Sequence, residues 1–180
     1  MKIKVVWMML WVSLLTACNA SLPAREETND AVFVVPTEFI KHQNAEYLKS
    51  FWLDFEPVDA GEPFQVVVNP FDGRHKVLKA GVQPGTYLLT RFSLHAMRKK
   101  GWDASRDDRS WDMNMLVEIA EGTVTVWSHK LIYRVDKSGG RTYQEQFDLL
   151  PLDSQLSRQI KIELENMNDA DSWPIIFLTD

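Results

Sequence analysis

Cysteine is almost missing from this chain: Cys18 is the only one in 180 residues. A single thiol excludes an internal disulfide framework and the cysteine-rich zinc sites. Histidine is scarce as well. There are four, His42, His75, His95 and His129, and no two are spaced for local metal ligation, so no metal or other cofactor is expected. The first apolar run, Val5–Leu15, holds one polar residue, Ser13. At about 11 residues it falls well short of the ~20 that a spanning helix needs. Basic charge is in deficit, with 20 Lys and Arg against 25 Asp and Glu, a net charge of −5 at pH 7. That balance argues against nucleic acid as a partner, because phosphates demand a basic face. Internal repeats and low-complexity tracts are lacking. So are a Gly-x-Ser-x-Gly elbow, a His-Glu-x-x-His pair and a phosphate-cradling glycine loop. No catalytic residue is therefore assigned, and the chain reads as non-enzymatic.

What is present begins at the N-terminus. Lys2 and Lys4 precede the apolar run, and small residues follow it up to Cys18. That is the charged, apolar and cleavage-site order of a secretory signal peptide over residues 1–17. Leu15-Thr16-Ala17-Cys18 resembles the lipobox of bacterial lipoproteins. The resemblance implies that Cys18 is diacylated on sulfur, becomes the first residue on cleavage and is then acylated on its amine. A single acyl chain anchors only marginally, whereas three hold a protein on a bilayer for practical purposes permanently. Asn19 stands where, in many Gram-negative bacteria, an aspartate marks retention in the inner membrane. The resemblance thus implies an outer-membrane lipoprotein facing the periplasm, with the inner membrane or cell surface as the other destinations. Loss of Lys2 and Lys4 leaves 18 basic residues against the same 25 acidic ones, a net charge of −7. Attachment then falls to the acyl chains on Cys18, not to attraction by anionic lipid.

Residues 18–30 are polar, carry Pro23 and show no periodicity. They read as a flexible tether that spans ~40 Å when fully extended. From residue 31 a period of two sets in, the mark of half-buried strands. Ala31 to Val35 is β-branched and stops at Pro36. Tyr47 to Phe55 places Tyr47, Phe51, Leu53 and Phe55 on one face, with Ser50, Trp52 and Asp54 on the other. Phe64, Val66 and Val68 alternate before the Asn69–Gly73 turn, and Val77-Leu78 adds a short run. Gln83-Pro84-Gly85 turns into Thr86 to Met97, where Leu88, Phe92, Leu94 and Ala96 share a face by spacing. Alternation returns at Met113, Met115, Val117 and Ile119. A long strand, partly apolar on both faces, is expected over Thr123 to Val135. Lys137-Ser138-Gly139-Gly140 signals a hairpin into a strand that sends Tyr143, Phe147 and Leu149 inward.

After Pro151 the period becomes helical. Leu152, Leu156, Ile160, Leu164 and Met167 form one stripe, with Asp153 or Ser154 as cap, giving a helix over about 153–167. The stripe is expected to cover an open edge or end of the sheets, and Ile175–Leu178 to add a last strand or tail. Seven or eight strands at sandwich spacing make residues 31–180 one mainly β domain. The expected fold is a single antiparallel β-sandwich, prealbumin- or immunoglobulin-like, with one C-terminal amphipathic helix. Gly81-Val82-Gln83-Pro84-Gly85-Thr86-Tyr87, with Ile119-Ala120-Glu121-Gly122-Thr123-Val124 later, resembles prealbumin-like and carboxypeptidase-regulatory-like sandwiches. There a Pro-Gly-x-Tyr turn opens a strand. The resemblance spans Gly81 to Trp127 and implies fold, not activity.

Residues 98–112 break the alternation with a highly charged stretch that embeds Trp102 and Trp111. Asp103, Asp107 and Asp108 raise paired-carboxylate chemistry or calcium. Arg98, Lys99, Lys100, Arg106 and Arg109 interleave with them and favour a solvated, self-paired loop. Trp and Arg dominate interface hot spots, and loops carry function more often than their scaffolds. Trp102, Arg106, Arg109 and Trp111 are therefore the candidate partner-binding residues, unless both rings fold back to cap the sandwich. The expected role is a binding or assembly module whose partner is another envelope protein or the cell wall. A small-molecule or lipid carrier, less readily a hydrolase, with its site between sandwich and helix, is the alternative.

Overall fold

A computed structural model describes residues 21–25, 30–42, 47, 49–97, 108–138 and 142–179. The fold is mainly β, two sheets packed face to face with one helix near the C-terminus, as the alternation predicts. The strands are β1 (Ala31–Lys41), β2 (Lys49–Pro57), β3 (Phe64–Val68), β4 (Lys76–Val82) and β5 (Gly85–Ala96). They continue as β6 (Arg109–Ile119), β7 (Val124–Val126), β8 (His129–Ser138), β9 (Thr142–Pro151) and β10 (Ile175–Phe177). Helix α1 covers Ser154–Glu165, and a single 3-10 turn covers Ala170–Ser172. One sheet runs β3-β2-β5-β6, antiparallel throughout. In the other, β1 pairs with β4 along one edge and with β7 and then β8 along the other, while β10 adds to β7 and β9 to β8.

Three pairings in the second sheet are parallel: β1 with β7, β1 with β8, and β10 with β7. The expected strand Thr123–Val135 accounts for two of them. It breaks at Trp127-Ser128, where three steps along β1 (Val34 to Thr37) match five along its neighbour (Val126 to Leu131). Both halves stay on one side of β1, since Trp127 N donates to Val34 O and His42 N to Val135 O. The kink turns the fully buried Trp127 ring into the space between the sheets.

That inner space is aromatic. Phe33 sits edge-on to Phe55 at 5.3 Å, and Phe51 edge-on to Tyr133 at 5.0 Å. These contacts also align the sheets: the Ala31 end of β1 lies over Phe55 and Phe64, and its Lys41 end over Tyr47 and Phe51. One face assignment on β5 changes. Asp54 pairs with Arg91 but Phe55 with Leu89, so Thr90 is an extra residue and the strand bulges there. The parity of β5 flips at that point. Tyr87 and Leu89 join Phe92 and Leu94 in the core, while Leu88 faces outward opposite Leu116.

Helix α1 begins where Asp153 Oδ1 accepts from the Gln155 and Leu156 backbone N–H groups at 3.0 and 2.9 Å. Its stripe is the expected one, but its seat is not an edge. Leu156, Ile160 and Leu164 pack with Val32, Val34, Val124 and Val126 on the outer face of the second sheet. β1 is consequently buried on both faces from Ala31 to Val35. Its continuous Ala-Val-Phe-Val-Val run is the composition such a position requires.

Ser21–Arg25, expected within a free tether, is docked on the domain. Leu22 is buried in the helix-side cluster and its N–H donates to Asn168 O at 3.1 Å. Pro23 O accepts from Trp173 Nε1 at 3.0 Å, and Arg25 Nη1 donates to Ser172 O at 2.9 Å. The Arg25 guanidinium also lies against Gly122, whose φ of 61° and lack of a Cβ permit both the turn and the approach. An apolar leucine with an apolar cavity to fill outweighs the polar composition around it.

Candidate interaction surface

Two of the four sequence-selected residues, Trp102 and Arg106, lie outside the described residues, as do Cys18, Asp103 and Asp107. The other two open β6 and part company. Trp111 points inward and is half-buried, its ring 5.8 Å from Phe92 and 5.1 Å from Phe147. It closes the end of the aromatic core, so this ring is a cap and not free surface. Arg109, paired in register with Leu94, is exposed at the rim. Beside it Asp108 finishes the hairpin: Oδ1 accepts from Ala96 N at 3.2 Å, and Oδ2 lies 3.3 Å from His95 Nδ1.

The structure adds a ring that sequence selection passed over. Trp52 projects from the outer face of the β3-β2-β5-β6 sheet and remains 37% exposed. The His95 ring lies 4.3 Å from it at a 39° tilt. Val67, paired with Trp52 from β3, is 40% exposed. Ser93, its partner on β5, is buried beneath the rings. One row along, Asp54 faces Arg91 and accepts from Gln65 Nε2 at 2.5 Å, and Arg91 faces Asp112. The signal was in the alternation, which already set Trp52 on the polar face of β2. An aromatic there is the deviation that marks a surface ring. Arg109, in register with the core residue Leu94, starts from the other face of the sheet, and it is Trp52, His95 and Asp108 that form one patch at the β5–β6 end. Its chemistry suits protein recognition: a flat amphipathic ring to desolvate, with both signs of charge around it.

The other polar clusters brace the helix. Glu163 joins His75 Nδ1 at 2.8 Å and pairs with Lys76, tying α1 to β4. Burial pushes the Glu163 carboxyl up, but the Lys76 ammonium and the His75 ring outweigh it, and its pKa lies below the ordinary value. Lys130 Nζ lies 2.6 Å from both Glu38 Oε2 and Asp153 Oδ2. Asp153 is lowered by that ammonium and by the Leu156 N–H. For Lys130 burial pulls the pKa down, yet the two carboxylates raise it overall. Between these clusters lies an open cleft of about 310 Å³ with a mostly polar wall. The apolar side of α1 is spent on packing against the sheet, so the expected site beneath the helix has no apolar lining to draw on. A larger open cleft, about 600 Å³, lies instead beside β6 and is lined by Met115, Leu116, His129 and Leu178.

The histidines fall apart in space as in sequence. His95 is on β5 and His129 on β8, in different sheets, so they do not form the two-histidine site that neighbouring strands would allow. Among the described residues no group of three or more His, Cys, Asp or Glu is placed to hold a metal ion.

Fold and surface together define a helix-backed β-sandwich with an exposed aromatic and charged patch at one end. No family model matches the chain, and neither the curated proteins nor the solved structures contain a significant match to it.

Proposed function

We propose that this protein is a lipid-anchored, non-enzymatic binding module of the bacterial cell envelope. The reading combines the lipobox-like Leu15-Thr16-Ala17-Cys18 with the patch of Trp52, His95 and Asp108. The patch is the observation that carries the binding role. A half-exposed tryptophan held by a neighbouring ring loses little conformational freedom on association, which is how aromatic anchors contribute to interfaces. The partner is another envelope protein or a cell-wall component. Outer-membrane placement rests on Asn19 and is part of the same proposal.

Two variants test the two halves. Cys18→Ser should leave uncleaved precursor or soluble protein; unchanged membrane fractionation and mobility would place the anchor elsewhere. Trp52→Ala should sharply reduce recovery of an envelope component that co-purifies with the wild-type protein from gentle detergent, at a nearly unchanged melting temperature. Equal recovery by both proteins would remove the patch from the proposal. A carrier role is the second reading, favoured by the cleft beside β6, whose size suits a small apolar ligand.

A further inference from the structure

The docked Ser21–Arg25 segment has a geometric consequence for any anchor at Cys18. We infer that the domain stands directly on the bilayer with its Asn168–Trp173 end against the lipid headgroups, and its β5–β6 end pointing away. The inference rests on the lipid anchor proposed above.

Three Cα–Cα steps separate Cys18 from Ser21, which is at most about 11 Å of chain. At Ser21 the freedom ends. Ser21 bridges Asn168, Leu22 is buried and bonded to Asn168 O, and Pro23 and Arg25 are bonded to Trp173 and Ser172. A tether free as far as Asp30 would let the domain tumble ~40 Å from the membrane, whereas this one leaves no room to turn over. The exposed groups around the dock are mostly polar or charged, Ser21, Arg25, Asp169, Asp171 and Ser172, beside the small Pro23 and Ala24. They suit the hydrated headgroup layer and not the hydrocarbon, so the end rests on the membrane without entering it.

The opposite end follows from strand direction. Arg25 touches Gly122, just before β7, and β7 pairs with the Ala31 end of β1. β1 then runs 11 residues away from the dock, roughly 30 Å, to Lys41 beside Val135. The rings of Tyr47, Phe51 and Tyr133 bring the start of β2 to that far end. Lys49 pairs with Ala96, and Leu94 with Arg109. The Trp52–His95 patch is therefore held about a strand length off the membrane and faces the compartment.

The test uses the full chain, acylated by its own cell, in phosphatidylethanolamine–phosphatidylglycerol vesicles carrying a headgroup spin label. A fluorophore is placed through Asp171→Cys at the docked end or Asp136→Cys at the far end. Quenching should be severalfold stronger at 171 than at 136. Inserting ten Gly/Ser residues between Ala20 and Ser21 should bring the two close to equal, and Leu22→Asp, which undocks the segment, should do the same in a protein that still melts cooperatively. Acyl mass on the purified protein separates the two claims. A protein without acyl chains overturns the anchor and this inference together. An acylated protein quenched equally at both positions, or one whose difference survives the insertion, overturns the orientation alone.

Discussion

The two sheets of this sandwich have opposite fates on their outer faces. On one, Val32, Val34, Val124 and Val126 face outward and helix α1 covers them completely. On the other, Trp52, Val67 and Leu116 face outward and, among the described residues, stay 37–68% exposed. The centre of the covered face is four valines, flanked by Leu78, Ile175 and Phe177. The open face mixes those apolar side chains with Asp54, Gln65, Arg91 and Asp112, which already satisfy one another or water. A face that is sealed is uniform, and a face that stays in water is mixed. Apolar side chains alone therefore do not say whether a face is covered.

The largest expected break in this contrast comes from the sealed side. Ile160→Ala empties a fully buried site and should cost ~2–5 kcal/mol, lowering the melting temperature by roughly 5–15 °C. A shift under 1 °C in a thermal melt would mean that the helix is not docked as described. Trp111→Ala comes next. A half-buried ring against Phe92 and Phe147 should cost about 2 kcal/mol, near half of a full aromatic truncation. A stable Trp111→Ala protein would return this residue to the open surface.

Acid sharpens the contrast further. Asp153 and Glu163 both have lowered folded-state pKa values, so their contribution is complete above the ordinary carboxylate range and lost as pH falls through the lowered values. The helix side should weaken first, below about pH 4, and hydrogen exchange should show α1 amides opening before those of β2 and β5. Glu163→Gln should flatten part of that slope; an identical acid profile would remove Glu163 as a source. Trp52→Ala is the smallest. On an open face it should change stability by under ~1 kcal/mol while reducing partner recovery, and a drop of several degrees would make Trp52 part of the fold instead.

Much of the strand pattern was legible because burial on one face imposes a period of two. Phe51, Leu53 and Phe55 fall inside, and Leu156, Ile160 and Leu164 line the helix contact, as their spacing predicts. Three features left no trace of that kind. The bulge at Thr90 shifts parity through hydrogen bonding that side-chain periodicity cannot register, so Leu88 was assigned to the wrong face. The break at Trp127-Ser128 sits inside a run that is apolar on both faces, where alternation disappears. The docking of Leu22 depends on a cavity built from residues far along the chain, and the segment around it reads as polar. On the surface, Trp52 was visible as an aromatic on a polar face. Tryptophan and arginine content singles out residues 98–112 instead, where Trp111 packs half-buried against the core margin.

The placement of β1 also governs the order in which the molecule can assemble. Its first five residues are the most deeply enclosed in the fold, yet every strand that encloses them lies later in the chain: Val82 on one side, Val124 on the other, and Ile160 above. A chain emerging from its N-terminus presents Ala-Val-Phe-Val-Val long before any of these exists. Contacts so distant along the chain make for slow folding. Meanwhile an uncovered, β-branched pentapeptide without charge is the kind of segment that pairs with its own copies. The strand that finally becomes best protected is thus the one most in need of a holding chaperone until the last helix arrives.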